Sequence, residues 1–229
     1  MQLNTDLNRR VVVATDALPW IPSPVDGVER RMLERDGDEV ARAISLVRYA
    51  PGSRFSAHEH AGGEEFLVLD GTFSDADGDY PAGTYVRNPV GSGHTPHTDN
   101  GTVILVKLWW MHPADRQFVR IDTTRKDLWR AAADPGVTIL ALHAFGAETV
   151  ALYRLASGAA IEARDLPGGE EIFVVEGAVA DSNGAYDKGT WIRTPMGAAP
   201  ALRSATGARL FVKRGHLRDI PPGPNSHRG

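Results

Sequence analysis

Residues 51–91 read PGSRFSAHEHAGGEEFLVLDGTFSDADGDYPAGTYVRNPVG, and residues 157–197 read SGAAIEARDLPGGEEIFVVEGAVADSNGAYDKGTWIRTPMG. The second segment follows the first at an offset of 106 residues, with no insertion between them. In this alignment Gly52 matches Gly158, Glu64 matches Glu170, Gly71 matches Gly177 and Pro89 matches Pro195. Self-similarity at a fixed offset marks a duplicated structural unit. The sequence therefore predicts two copies of one unit, as domains 1–121 and 122–229.

Short apolar runs bounded by turn residues occur throughout both copies. Examples are FLVLDGTF at residues 66–73 and TVILVKLWWM at residues 102–111. Runs of this length, rich in β-branched and aromatic residues, are typical of β-strands. A short helix is expected only at residues 124–133, and residues 28–42 are ambiguous between helix and strand. The predicted class is all-β.

Composition excludes several classes of protein. The chain has 229 residues, 42% of them hydrophobic, which is enough for a buried core. Its net charge of -4, with no basic run, argues against a nucleic-acid partner. The absence of cysteine excludes disulfides and thiolate metal sites. No apolar run approaches the roughly 18 residues of a membrane span, and Val11–Val13 is too short for a secretion signal, so we expect a cytoplasmic protein without a membrane partner.

Two histidines separated by one residue are the first members of a candidate metal site. Residues two apart on a strand point to the same face, so His58 and His60 project together. The glycines of the turn at residues 61–63 allow a tight reversal, and Glu64 follows on the returning strand. One hairpin could then supply three ligands. A fourth must come from elsewhere, and the candidates are His94, His97 and His112.

These residues resemble the two sequence motifs of the cupin superfamily. The first motif falls on Gly52, His58, His60, Glu64 and Gly71, and the second falls on Gly83, Pro89, Val90, Gly91 and His94. The second motif usually ends in asparagine, where this chain has Thr98. The resemblance covers both halves and implies two cupin jelly-roll barrels in tandem. It also implies a ligand set of His58, His60, Glu64 and His94.

The amino-acid sequence of residues 58–98 resembles the cupin domain of ChrR-type anti-sigma factors. That group of cupins includes dioxygenases of β-diketones and aryl ketones. The resemblance implies a non-heme metal-dependent dioxygenase acting on a small chelating substrate, namely a β-diketone, a hydroxy-ketone or a phenol. Two alternatives stay open: a non-enzymatic metal- or ligand-sensing regulator, and a metal-assisted isomerase or hydrolase. A sigma-factor partner is not expected. Anti-sigma factors of this type bind the sigma factor through a cysteine-containing zinc domain, and this chain has no cysteine.

Nitrogen and carboxylate ligands accept several metals, so one divalent transition ion (Fe, Zn, Mn, Ni or Cu) is expected in the N-terminal barrel. The repeat replaces the four ligand positions with Arg164, Leu166, Glu170 and Pro200. The C-terminal barrel is therefore predicted to bind no metal. It would serve as a structural partner or as a metal-free ligand pocket, with Arg164 paired to Glu170 if the two face each other.

Four further residues are candidates for a substrate pocket. Phe66 and Val68 share the strand face of Glu64 and would form its wall. Arg54 precedes His58 on the same parity and could meet an anionic substrate, and His97 could lie at the rim. The expected partner is a small-molecule ligand or substrate, and the expected assembly is a monomer or a homodimer.

Overall fold

The computed structural model describes residues 1–224, which form two compact units. Of the described residues, unit 1 comprises 1–5, 18–124 and 221–224, and unit 2 comprises 6–17 and 125–220. Nearly all regular structure is β-strand, which confirms the predicted all-β class. The expected domain ranges, 1–121 and 122–229, stay a prediction, because a compact unit is not by itself an independently folding domain.

Unit 1 has one large antiparallel sheet and one small one. Its strands are β1 (Gln2–Leu3), β3 (Ile21–Pro22), β4 (Val28–Gly37), β5 (Ala41–Tyr49), β6 (His58–His60), β7 (Glu64–Asp75), β8 (Gly78–Pro81), β9 (Thr84–Asn88), β10 (Ser92–His94), β11 (Thr102–Leu108) and β12 (Val119–Asp122). Within the described residues, the large sheet has the order β1-β4-β5-β11-β7-β9-β12, with β3 on β4 and β8 on β7. The small sheet pairs β10 with β6.

Unit 2 repeats this arrangement. Its strands are β2 (Val11–Ala14), β13 (Arg130–Ala131), β14 (Val137–Phe145), β15 (Glu148–Leu155), β16 (Ala160–Ile161), β17 (Arg164–Leu166), β18 (Glu170–Asp181), β19 (Gly184–Asp187), β20 (Thr190–Thr194), β21 (Gly197–Ala199), β22 (Leu202–Arg203) and β23 (Ala208–Arg214). The large sheet of the described chain has the order β13-β14-β15-β23-β18-β20-β2, and β17 pairs with β21.

The large sheets of the two units have corresponding strand orders, but each takes its last edge strand from a different part of the chain. In unit 1 the edge strand β12 pairs with β9, and Val119 lies opposite Arg87. In unit 2 the same edge is formed by β2, and Val11 lies opposite Arg193. The edge strand of the second copy therefore comes from the beginning of the chain, and it brings Arg10 into unit 2.

The expected helix at residues 124–133 is wrong. A 3-10 turn covers Lys126–Leu128, and β13 then pairs with β14. Strand pairing with the rest of unit 2 outweighs a local helical preference that is too short to be stable alone. The ambiguous stretch at residues 28–42 is strand β4 and the start of β5. No helix within residues 1–224 has the length and apolar character needed to cross a membrane.

Each unit has its own apolar core. In unit 1 the core is built around Phe66, Val68 and Phe73, which are at most 1% exposed. In unit 2 it is built around Val174 and Leu210, which are 0% exposed. Gly71 and Gly177 hold equivalent positive φ angles of 68° and 70°. At each, an added Cβ would lie 2.0 Å from a backbone oxygen, that of Gly101 or Gly207, so the repeat keeps a glycine where any side chain would clash.

Candidate metal centre

Pairing of β6 with β10 brings three histidine side chains together. His58 lies opposite His94 in the register of the two strands, and His60 lies two residues further along the same face of β6. The three ring centroids are 4.6 to 5.1 Å apart. One ring nitrogen from each histidine lies within 4.8 Å of the other two. Such a cluster offers three imidazole ligands to one ion.

Glu64 lies against two of these histidines. Its Oε2 atom is 3.4 Å from Nε2 of His60 and 3.6 Å from Nε2 of His94. The turn before it is tightly packed, because a Cβ on Gly62 would come within 2.1 Å of the Trp109 ring. Glu64 is 7% exposed, so a buried carboxylate lies beside two of the three histidines.

The opposite ring nitrogens fix the tautomers. His58 Nδ1 lies 3.2 Å from the carbonyl oxygen of Ser56, and His94 Nδ1 lies 3.0 Å from Oδ2 of Asp75. A carbonyl and an ionised carboxylate can only accept, so both Nδ1 atoms carry a proton, and in a neutral ring the lone pair then lies on Nε2. His60 Nδ1 contacts the Ser92 hydroxyl at 3.1 Å.

Two of the Nε2 atoms are buried and have no hydrogen-bond partner. His60 Nε2 and His94 Nε2 are inaccessible to water and make no hydrogen bond. Burial lowers the pKa of His94, and burial with the nearby His58 and Arg120 lowers the pKa of His60 to about 4. Both imidazoles are therefore neutral at pH 7. Neutral imidazoles with unpaired, buried lone pairs beside a carboxylate are suited to a metal cation.

A chain of hydrogen bonds connects two of the candidate ligands, His94 and Glu64. Beyond His94, Asp75 accepts from the Tyr80 hydroxyl at 2.9 Å, and Tyr80 accepts from Arg120 Nε at 3.3 Å. Arg120 Nη2 donates to the Asn88 side-chain oxygen at 2.6 Å, and Asn88 Nδ2 donates to Glu64 Oε2 at 3.0 Å. Burial would raise the pKa of Asp75, but hydrogen bonds from the Asp77 backbone, His94 and Tyr80 lower it. Asp75 therefore stays ionised and holds the His94 ring.

We expect Asp75→Asn to weaken metal affinity by about 10–100-fold, the range for a residue that orients a ligand histidine. The amide can turn its NH₂ group toward Nδ1 and favour the wrong tautomer of His94. Competition with a fluorescent chelator measures the affinity. Asp181→Asn is the matched control, because Asp181 is the equivalent residue of unit 2, where the equivalent of His94 is Pro200. Equal loss in both variants would contradict the role of Asp75.

The four candidate pocket residues have different surroundings. Phe66 and Val68 lie in the apolar core, where Phe66 packs on Phe73 at 4.7 Å and Phe73 lies 5.7 Å from the His94 ring. Arg54 is exposed and pairs with Asp99 at 3.2 Å. The backbone of His97 pairs with that of Ser74, the neighbour of Asp75.

The sequence reasoning passed over several residues that support the site. Asn88, Arg120 and Ser92 had no motif to mark them. Tyr49 is also new: its ring packs on Phe55 at 5.2 Å and on Phe73 at 5.8 Å. Burial and the charge of Glu64 raise the pKa of Tyr49. Asp75 and Tyr80 did carry a signal, because both recur as Asp181 and Tyr186 in the repeat.

The equivalent place in unit 2 has a different chemistry. Glu170 accepts from Arg164 Nη2 at 2.5 Å, which confirms the expected pair. A second arginine, Arg214, contacts the other carboxylate oxygen at 2.6 Å. Leu166 and Pro200 replace two of the histidines. Within the described residues, the grouping of possible metal ligands is confined to His58, His60 and His94.

Comparison with known proteins agrees with the duplicated fold. A family model described as a ChrR cupin-like domain matches residues 8–112 and again residues 116–218. No curated protein matches the chain.

Several solved structures have a similar fold. A dioxygenase candidate from Nostoc punctiforme is 16% identical, with a TM-score of 0.73, over 95% of this chain and 88% of that one. Salicylate 1,2-dioxygenase from Pseudaminobacter salicylatoxidans is 14% identical, with a TM-score of 0.66, over 93% and 86%. Protein YlbA from E. coli is 14% identical, with a TM-score of 0.67, over 95% of each chain. At these identities the likeness shows the fold alone.

Proposed function

We propose, from the premise that this chain belongs to the ChrR cupin-like domain family, that it is a metal-dependent dioxygenase of a small chelating substrate. The substrate class is a β-diketone, a hydroxy-ketone or a phenol. The observation that carries the proposal is the set of buried, unpartnered Nε2 atoms of His60 and His94 beside Glu64. The similarity to salicylate 1,2-dioxygenase, whose name gives a phenolic substrate, supports the same class.

The distances fit a common ion. Two ligand atoms that each lie about 2.1 Å from one metal are roughly 3.0–3.4 Å apart at octahedral or tetrahedral angles. Glu64 Oε2 is 3.4 and 3.6 Å from the two buried Nε2 atoms, close to this range, and the ligand nitrogens of the three histidines lie within 4.8 Å of one another. His58, His60, Glu64 and His94 would hold the ion. Three imidazoles and one carboxylate accept iron, manganese, nickel, copper or zinc.

A redox-active divalent ion held there would supply the one-electron chemistry that lets dioxygen react with an organic molecule. The protein's own residues would set the surroundings of that reaction. His58 is exposed, whereas His60 and Glu64 are 6% and 7% exposed, so a substrate would approach from the side of His58. The apolar wall behind His94, formed by Phe66 and Phe73, would exclude water from the reacting carbon.

The remaining pocket assignments follow from position. Val68 extends the apolar wall from the same strand face as Phe66. His97, paired with Ser74, and Arg54, paired with Asp99, would contact the outer part of a substrate. Because the Arg54–Asp99 pair is solvent-exposed, it is worth well under 1 kcal/mol, and Arg54 can leave it to meet an anionic group.

A sensing regulator is the second candidate, favoured by the description of the matched family, which refers to ChrR. It would use the same metal ligands without turnover. A sensor needs a ligand-dependent change in affinity for a protein partner, and an oxygenase needs a product. The two candidates therefore differ in a single measurable quantity, the oxygen consumed per substrate.

We expect the iron-loaded protein to consume oxygen in equimolar amount with at least one of three probes: salicylate, acetylacetone or a 2-hydroxy-ketone. An oxygen electrode records uptake, and mass spectrometry records a cleaved product. Glu64→Ala should show no uptake, and Asp181→Asn should match the wild type. Stoichiometric iron with neither uptake nor product from any probe would reject the oxygenase and favour the sensor.

A further inference from the structure

Unit 2 has a cavity at the place that corresponds to the metal centre of unit 1. The enclosed space is about 10 Å³, room for one water-sized group, and it is partly open to solvent. The charged residues in its wall are Arg10, Arg164, Glu170 and Asp181. Ile172, Ile192 and Leu202 provide an apolar part of the wall. At the positions of the three histidines of unit 1, this unit has Arg164, Leu166 and Pro200.

The charges in and beside this cavity do not balance. Arg10 pairs with Asp181 at 2.7 Å. Arg164 pairs with one carboxylate oxygen of Glu170, and Arg214 pairs with the other. Three guanidinium groups against two carboxylates leave one positive charge. Side-chain exposures of 17% to 26% for the arginines, and of 2% and 4% for the carboxylates, show that water reaches this cluster only in part. A partly buried, unbalanced cation favours an anionic partner.

Each arginine also keeps a buried nitrogen without a hydrogen-bond partner. These nitrogens are Nε of Arg10, Nε of Arg164 and Nη2 of Arg214. In unit 1 the unpartnered buried atoms are Nε2 nitrogens of neutral imidazoles next to a carboxylate, a set that suits a cation. In unit 2 they are donors with a net positive charge, which suits an anion. The same position in the two copies is thus built for ligands of opposite sign.

We propose that the cavity of unit 2 binds a small monocarboxylate. The planar arginine fork matches a carboxylate, and charge-assisted hydrogen bonds of this kind are among the stronger ones. One negative charge neutralises the cluster, whereas a dianion would be repelled by Glu170 and Asp181. Arg10 lies just before the edge strand β2, so binding also ties the beginning of the chain to unit 2.

The test uses the full-length protein and sodium acetate as the probe. Acetate is titrated against sodium chloride at constant ionic strength, and the Nε–H signals of Arg10 and Arg164 are followed by NMR. We expect these signals to shift saturably with acetate and not with chloride, and succinate to bind more weakly. Non-saturating shifts that are equal for acetate and chloride would overturn the proposal.

Two variants locate the binding. Arg164→Gln should lower acetate affinity by about tenfold or more, as expected for a lost charge-assisted hydrogen bond. Ala199→Leu fills the cavity from the position opposite Arg164 in the strand register and should abolish saturation without a change of charge. Arg203→Gln, an exposed arginine outside the cavity wall, is the matched control. Wild-type affinity in Ala199→Leu would reject the cavity as the site.

The result is independent of the metal centre. Repeating the titration in the Glu64→Ala background removes a candidate metal ligand of unit 1 and leaves every residue of the unit 2 cavity in place. Acetate affinity should be unchanged there. Loss of acetate binding in Glu64→Ala would show that the anion occupies the metal centre and would overturn the proposal.

Discussion

The His94→Ala variant is expected to lose at least about 100-fold in metal affinity, more than the loss of a residue that only orients a ligand. His94 would provide one of four ligands, and its Nε2 atom is buried next to Glu64 Oε2. Alanine leaves an open ligand position and also frees Asp75 from its histidine partner. Metal per chain after dialysis against a weak chelator, measured by elemental mass spectrometry, gives the effect.

His112→Ala is the control for that variant. His112 is an exposed histidine of the same unit, and its Nδ1 accepts a hydrogen bond from the Ala114 backbone at the surface. It should keep the wild-type metal content. If His94→Ala kept its metal as well, the ligand set proposed for unit 1 would be wrong, whatever the substrate.

The same substitution in the two copies is expected to have opposite effects. Glu64→Ala should lose the metal but leave the metal-free protein nearly as stable, since it removes little besides the Asn88 hydrogen bond, worth about 1 kcal/mol. Glu170→Ala should keep the metal but destabilise unit 2, since Arg164 and Arg214 lose their shared carboxylate. Breaking a buried pair costs about 3–5 kcal/mol, and partial exposure of both arginines reduces this to roughly 2–3 kcal/mol.

Thermal unfolding of the metal-free proteins and metal content of the loaded ones measure both halves of this comparison. Glu171→Ala is no substitute for Glu170→Ala, because Glu171 contacts His216 at 2.8 Å on the other face of β18. Metal loss in Glu170→Ala, or full metal retention in Glu64→Ala, would contradict the division of roles between the two units.

The duplicated fold was largely predictable because its signals are local. Glycines at positions such as Gly71 and Gly177 are fixed by backbone contacts and positive φ angles, so they stay in register in the sequence. The spacing of His58, His60 and Glu64 follows from strand parity and one tight turn. Both features depend on neighbouring residues, and a single sequence contains that information.

The parts that were missed depend on pairing between distant residues. Arg10 reaches Asp181 only because β2 joins β20, a contact between segments more than 170 residues apart that no motif announces. Arg120 reaches Asn88 and Tyr80 in the same way through β12. The helix expected at residues 124–133 failed for the related reason that pairing of β13 with β14 decides its structure. Asp75 could have been found, since its recurrence as Asp181 is visible in the repeat.

The central claim is that one metal ion binds in unit 1, between His58, His60, Glu64 and His94. Anomalous X-ray diffraction from crystals of the metal-loaded protein, collected on either side of the absorption edge of the metal, tests it most directly. The account predicts one peak per chain, about 2.0–2.3 Å from three imidazole nitrogens and one Glu64 oxygen. A peak beside Glu170 in unit 2, or no peak among these four residues in crystals loaded with any of the five metals, would contradict it.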